Sequence, residues 1–127
     1  MITKQKRPKF LNLLKIHLPV TGVNSIAHRI SGALLFLAIP AVIYLFGLSI
    51  KSEQGFTYLM TLMDSMPFKL AILVLAWAIG HHLLAGIRFL LTDLDIATSL
   101  KAARMTAWIV NISGIVIFLI LSACVLL

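Results

Sequence analysis

Four residues with chemically useful side chains stand about one helical turn apart near the start of the first long apolar stretch. Ser25, His28, Arg29 and Gly32 occupy positions i, i+3, i+4 and i+7, so a helix would gather a hydroxyl, an imidazole, a guanidinium and a notch onto one face. Such a face could donate hydrogen bonds to a quinone carbonyl or to an anionic carboxylate. A structural interpretation is also open, with a helix cap at Ser25, side chains extending to lipid headgroups, and a glycine that permits close packing.

A second group of residues lies in the middle apolar stretch. His82, Gly86 and Asp93 share one helical face, and small residues flank the histidine at Ala78 and Ala85. A haem plane that is ligated by an imidazole is broad and must lie close to its helix, so small residues one turn away suit it. The pattern therefore favours His82 as an axial haem ligand, with Gly86 and Asp93 in supporting positions.

The adjacent histidine is expected to have a different role. His81 points about 100° away from His82 on a helix of 3.6 residues per turn, and it shares its side with Trp77, Leu84 and Arg88. Two histidines so arranged cannot serve one iron from opposite faces. For His81 the expectation is packing or hydrogen bonding between helices.

The two groups of residues are placed so that both could bind the same haem. His82 lies about ten residues, or roughly 15 Å at 1.5 Å per residue, from the cytoplasmic end of its predicted span, while His28, Arg29 and Arg88 lie at that border. These three side chains are therefore the predicted contacts of the haem propionates. Neither His81 nor His28 could reach the opposite axial position, so the sixth ligand requires a second chain.

Composition predicts the elements that position these residues. The chain has 127 residues, of which 61% are hydrophobic and 12% charged, a balance typical of an integral membrane protein. A membrane core of about 30 Å takes roughly 20 apolar helical residues to cross. We predict an N-terminal basic and interfacial segment, 1–24, and one transmembrane domain, 25–127, with helical spans at about 26–50, 67–92 and 104–127.

Charge predicts the orientation of the spans. Basic residues concentrate before the first span and around the second connection, so the N-terminus is expected in the cytoplasm and the C-terminus in the periplasm. No signal or transit peptide is expected, which favours a bacterial inner membrane. The high isoelectric point is explained by topology and anionic lipid rather than by nucleic acid. The basic residues before and at the start of the first span are Lys4, Lys6, Arg7, Lys9, Lys15 and Arg29.

Three local features complete the prediction. Asn24 or Ser25 is expected to cap the first spanning helix. The outer connection is expected to hold a short surface helix, because Phe56, Leu59, Met60 and Met63 follow a helical period. The single cysteine, Cys124, excludes an internal disulfide and an iron–sulfur cluster held by the chain itself.

Two motifs resemble those of a known family, the cytochrome b membrane-anchor subunits of succinate dehydrogenase (respiratory complex II). They are "LPVTGVNSIAHRISGALLF", which contains Ser-x-x-His-Arg-x-Ser-Gly, and "HLLAGIRFLLTD", which contains His-x-x-x-Gly-Ile-Arg-Phe. The resemblance covers almost the whole chain. It implies an all-α membrane protein whose three transmembrane helices form half of a heterodimeric haem-binding bundle.

The resemblance also implies the cofactors and the partners. A haem b would take one axial ligand from His82 and the other from a second small anchor subunit, and Ser25 and Arg29 would line a ubiquinone site, with His28 and Arg29 near the haem propionates. A flavoprotein subunit and an iron–sulfur subunit would dock on the cytoplasmic face. This chain would serve the enzyme as an anchor and would not itself oxidise succinate.

Two alternatives remain open from the sequence. The first is the anchor of a quinol:fumarate reductase, in which electrons run the other way. The second is a small membrane subunit without haem, with a role in transport or assembly, whose histidines serve a proton path or helix packing.

Overall fold

The computed structural model describes residues 17–126, and within that range it consists of helices without a strand. The four helices are α1 (Val20–Lys51), α2 (Glu53–Asp64), α3 (Met66–Asp93) and α4 (Leu100–Leu126). α1, α3 and α4 are each long and apolar enough to cross a membrane. The expected all-α membrane fold with three spanning helices is therefore confirmed. Most of the predicted N-terminal interfacial segment lies outside the described residues.

α1 begins five residues before Ser25, so the prediction of a cap at Asn24 or Ser25 is wrong. Pro19 precedes the helix in an extended conformation, and its carbonyl accepts hydrogen bonds from Gly22 N at 2.8 Å and Val23 N at 3.1 Å. Proline suits this position because its fixed φ angle and missing N–H cost nothing there. The Asn24 side chain is consequently free to face the interior of the bundle, where it is fully buried.

The expected short helix in the outer connection is confirmed as α2. The Ser52 hydroxyl caps it by accepting from Gly55 N at 3.0 Å, and Glu53 places a negative charge in its first turn. Gly55 packs against the backbone carbonyl of Leu48 so closely that a side chain has no room. This contact folds α2 back onto the end of α1.

α3 is the central helix, because its contacts with α1 and with α4 are each more extensive than the contact between α1 and α4. Its buried positions lie on one face and are mostly small or polar: Leu73, Ala78, His81, Ala85 and Arg88. Large apolar side chains cover the outward faces of the bundle, as at Phe36 and Leu90. A bundle whose small residues face inward and whose large residues face outward is typical of helices that pack in lipid.

A tight turn of residues 94–99 reverses the chain between α3 and α4. Asp95 and Ala97 both have positive φ angles, near 60°, and the Asp95 N–H donates to the Thr92 carbonyl at 3.0 Å. Ser99 then precedes α4, with its carbonyl accepting from Ala103 N at 2.8 Å. The turn brings the first residues of α4 alongside the last turns of α3.

Candidate functional site

His82 lies between α1 and α3 with one ring nitrogen held by α1. Its Nδ1 is 3.1 Å from the backbone carbonyl of His28 and 3.2 Å from the hydroxyl of Ser31. A carbonyl oxygen can only accept, so Nδ1 carries the proton and donates it. Nε2 then has a free lone pair, which is the arrangement usual for a histidine that ligates a metal.

Ser31 completes this arrangement, and the sequence analysis missed it. The residue is fully buried, and its hydroxyl donates to the His28 carbonyl at 2.8 Å. Its oxygen thereby presents a lone pair to the His82 Nδ1–H, so the ring is held from two points on α1. A spacing of three residues from His28 was a signal available in the sequence, but it did not distinguish Ser31 from an ordinary membrane serine.

Gly32 provides the space for the His82 ring. A Cβ atom at Gly32 would lie 2.9 Å from Cε1 of His82, which is closer than atoms can approach without one of them moving. The glycine therefore lets α1 and α3 approach at the level of this histidine. The predicted notch is where it was expected, and it faces the predicted ligand.

His28 covers one face of His82. The two rings are stacked, with centroids 4.1 Å apart and planes 9° from parallel, and Phe89 contacts the His28 ring edge-on at 5.2 Å. Gly86 lies beside His28, because its Cβ position is 3.7 Å from Nε2 of that ring. The structure therefore brings the sequence-predicted residues His28, Gly32, His82 and Gly86 together at one place.

Ser25 lies about one turn before His28 on α1, and Arg29 directly follows His28. Ser25 is half-buried and Arg29 is exposed, and both lie on the same side of α1 as His28. Asp93 is exposed at the end of α3, well removed from His82 along the helix. The quinone and supporting roles given to these residues remain predictions.

His81 faces the interior of the bundle, as its position relative to His82 predicted. Its side chain is 2% exposed, and the Trp77 ring contacts it edge-on at 5.4 Å. Gly114 of α4 makes room for it, because a Cβ there would lie 3.5 Å from the His81 ring. The environment of His81 is that of a packing residue between α3 and α4.

Arg88 is buried among neutral oxygen atoms rather than exposed at the membrane border. Its Nε donates to the Thr106 hydroxyl at 3.1 Å, Nη1 to the Asn24 side chain at 3.3 Å, and Nη2 to the Ala103 carbonyl at 3.2 Å. The side chain is 8% exposed. The propionate contact of Arg88 remains a prediction, and it would have to use the N–H groups that these three bonds leave over.

Asn24 connects these hydrogen bonds to a further residue, Asn111 of α4. Its amide nitrogen donates to the side-chain oxygen of Asn111 at 3.0 Å, so α1, α3 and α4 are joined by side-chain hydrogen bonds. Sequence reasoning assigned Asn24 to a cap and gave Asn111 no role, because the bonds depend on how three helices meet. The Arg88 cluster, as used below, consists of Asn24, Arg88, Ala103, Thr106 and Asn111.

The histidines do not form a complete metal site. Within residues 17–126, no group of three or more His, Cys, Asp and Glu side chains is placed to hold a metal ion. An iron bound to His82 would need its other ligands from a macrocycle and from another chain.

The family model and the similar proteins that match this chain all describe membrane subunits of the same enzyme family. Residues 3–123 match the model of a family described as "Succinate dehydrogenase/Fumarate reductase transmembrane subunit". The chain is 40% identical over 106 residues to the succinate dehydrogenase cytochrome b556 subunit of Coxiella burnetii, covering 83% of this chain and 85% of the relative. It is 29% identical over 116 residues to the protein of the same description from Rickettsia felis, covering 91% and 90%.

Proposed function

The chain belongs to the succinate dehydrogenase/fumarate reductase transmembrane subunit family, and from that premise we propose that it anchors a succinate:quinone oxidoreductase, binds haem b together with a partner subunit, and forms part of the ubiquinone-reducing site. Its relatives are described as cytochrome b556 subunits of succinate dehydrogenase. That description favours succinate oxidation over fumarate reduction as the direction of the reaction.

The observation that carries the haem proposal is the bonding of His82. Its Nδ1 donates to the His28 carbonyl at 3.1 Å, which leaves the Nε2 lone pair for an iron. Gly32 gives the ring its space on the α1 side. These residues fit a b-type haem, which when bound accepts and gives up single electrons at a potential set by its axial ligands and its burial. His28, Arg29 and Arg88 are the proposed partners of the propionates.

Ser25 and Arg29 are the groups proposed to bind the quinone. The Ser25 hydroxyl can donate a hydrogen bond to a quinone oxygen, and the Arg29 guanidinium can stabilise the negative charge that develops on that oxygen during reduction. Ser25 lies about one and a half turns and Arg29 about two and a half turns after the start of α1, where a quinone headgroup can meet the membrane border. Protons needed to complete the reduction would arrive from the cytoplasmic side.

The remaining proposals concern partners and location. A second small anchor subunit would supply the other axial ligand, and flavoprotein and iron–sulfur subunits would dock on the cytoplasmic side, in a bacterial inner membrane. The distribution of Lys and Arg supports an N-terminus in the cytoplasm and a C-terminus in the periplasm. This chain would contribute no group to succinate oxidation itself.

Optical difference spectra of the purified complex test the haem proposal. Reduction with dithionite should give the absorption bands of a b-type haem, in proportion to the amount of this chain. A complex that contains this chain in full amount but shows no such bands would contradict the haem assignment and favour a subunit without haem.

A second experiment tests the quinone site. In Ser25→Ala and Arg29→Ala complexes, quinone reduction should fall while oxidation of succinate by a soluble dye persists. The dye accepts electrons from the enzyme before they reach the quinone site in the membrane. Equal loss of both activities would indicate that the complex had failed to assemble. Unchanged quinone reduction in both variants would contradict the proposed site.

A further inference from the structure

Apart from the predicted contact of Arg88 with a haem propionate, the buried Arg88 cluster has no role in the function proposed so far. A guanidinium inside a membrane helix costs about 2.5–3.5 kcal/mol on insertion scales, and here its described partners are the neutral oxygens of Asn24, Ala103 and Thr106. No ion pair within residues 17–126 therefore explains why the chain keeps it. We propose that the Arg88 cluster sets the rotation of α1 about its own axis and so positions Ser25 and Arg29 for the quinone.

The first step of the argument is the place of Asn24 in α1. Asn24 is fully buried, and both ends of its amide are used, with the oxygen accepting from Arg88 Nη1 and the nitrogen donating to Asn111. A side chain held at both ends by two other helices resists rotation of its own helix. Asn24 directly precedes Ser25, so the constraint acts next to the proposed site.

The second step is geometric. At 100° per residue, Ser25 lies about 100° and Arg29 about 140° around α1 from Asn24. When Asn24 faces the bundle interior, these two side chains are directed towards its surface, in agreement with the half-buried Ser25 and the exposed Arg29. A rotation of α1 by about 30° would move each Cα by about 1.2 Å on a cylinder of 2.3 Å radius. Displacements of about 1 Å can cost about 100-fold in rate.

The third step is that the constraint comes from atoms remote from the quinone. Among the side-chain hydrogen bonds of the described residues, Asn111 is linked to α1 through Asn24, and Thr106 is linked to α1 through Arg88 and Asn24. Both residues lie on α4, whereas Ser25 and Arg29 lie on α1. An effect of changing them on quinone kinetics must therefore pass through the orientation of α1.

A matched pair of threonines tests the proposal. Thr106→Val removes the acceptor of Arg88 Nε, while Thr92→Val removes a hydroxyl that donates to the Arg88 backbone carbonyl and lies outside the cluster. In assembled complexes with full haem content, Thr106→Val should raise the KM for quinone by about three- to tenfold, an effect smaller than the limit for a 1 Å displacement. Thr92→Val should leave it unchanged, and Thr106→Ser, which keeps the oxygen, should restore it.

Asn111→Leu and Arg88→Lys extend the test. Asn111→Leu should raise the quinone KM like Thr106→Val, whereas Ile112→Ala, at an exposed neighbour on α4, should not. Arg88→Lys keeps the charge but cannot reach three acceptors, so it should behave like Asn111→Leu. If Arg88→Lys instead preserves the KM while Arg88→Gln raises it, the charge matters and the positioning role is overturned.

This inference rests on the proposed quinone site, and Ser25→Ala separates the two. If Ser25→Ala impairs quinone reduction while Thr106→Val and Asn111→Leu leave the KM unchanged, the site stands and the positioning role fails. If Ser25→Ala and Arg29→Ala both leave quinone reduction unchanged, the quinone site itself is wrong. A proportional loss of haem, subunits and dye-linked activity in the Thr106→Val complex would show a purely structural role and overturn the proposal as well.

Discussion

His81 and His82 are adjacent in the sequence but belong to different surroundings. His81 is 2% exposed and packs between Trp77 and α4, while the Nδ1 atom of His82 is held by the His28 carbonyl and by Ser31 of α1. One histidine thus faces α4 and the other faces α1. The proposed haem site lies on the α1 side.

The two histidines should respond differently to the same substitution. His82→Leu should abolish most of the b-type absorption, because it removes the proposed axial nitrogen. His81→Leu should preserve it, since its Nδ1 has no hydrogen-bond partner among the described residues and replacing such a group with an apolar one is nearly neutral. Haem content per complex, from difference spectra, is the measurement. Dependence of haem on His81 alone would contradict the assignment.

Gly32→Ala should lower haem content, because the new Cβ would lie 2.9 Å from His82 Cε1 and the ring would have to move. Gly86→Ala should have a smaller effect, since its Cβ would make an ordinary contact with His28 at 3.7 Å. Gly47→Ala is the control on the same helix as Gly32, because nothing lies within 4 Å of its Cβ position. Equal haem content in all three purified complexes would show that the space at Gly32 is not needed for His82.

Ser31→Ala should shift the haem midpoint potential to a more positive value. The serine oxygen accepts from Nδ1 of His82, and loss of an acceptor makes the imidazole a poorer donor to the oxidised iron. Potentiometric titration of the haem bands measures the shift. Ser49→Ala is the matched control, because Ser49 also lies on α1 and donates to the carbonyl three residues before it, at 2.7 Å. A shift of equal size in both variants would contradict the role of Ser31.

The ion pair of Asp64 and Lys69 should matter little to stability. The Lys69 ammonium, 2.7 Å away, holds the pKa of the Asp64 carboxyl below its usual value. Any stabilisation is therefore present above the unfolded pKa of about 3.9 and is lost as pH falls through the lower folded value. Because Asp64 is 82% exposed, Asp64→Asn and Lys69→Gln should leave the Tm of the complex unchanged at pH 7. A drop of several degrees in both would contradict this.

The features of the fold that depend on residue spacing within one helix could be predicted from the sequence. The three spanning helices, the short helix α2 and the separate directions of His81 and His82 all follow from residue spacing along one helix. The start of α1 was wrong because Asn24 has the residue type of a cap, and only the tertiary structure shows that its amide bonds to two other helices. Ser31 and Asn111 were missed for the same reason, since their partners lie 51 and 87 residues away in the chain.

The cluster around Arg88 also bears on the order of events during synthesis. Asn24 enters the membrane with α1, but its hydrogen-bond partners lie on α3 and α4. Its amide group is therefore fully hydrogen-bonded only after α4, the last helix, has been synthesised. Until α4 is inserted, Asn24 and Arg88 lack their partners on that helix, and each unsatisfied polar group is costly in lipid. The hydrogen bonds of the Arg88 cluster are therefore complete only when the whole chain has been synthesised. A nascent chain truncated before Asn111 should be recognised as unassembled by membrane quality control.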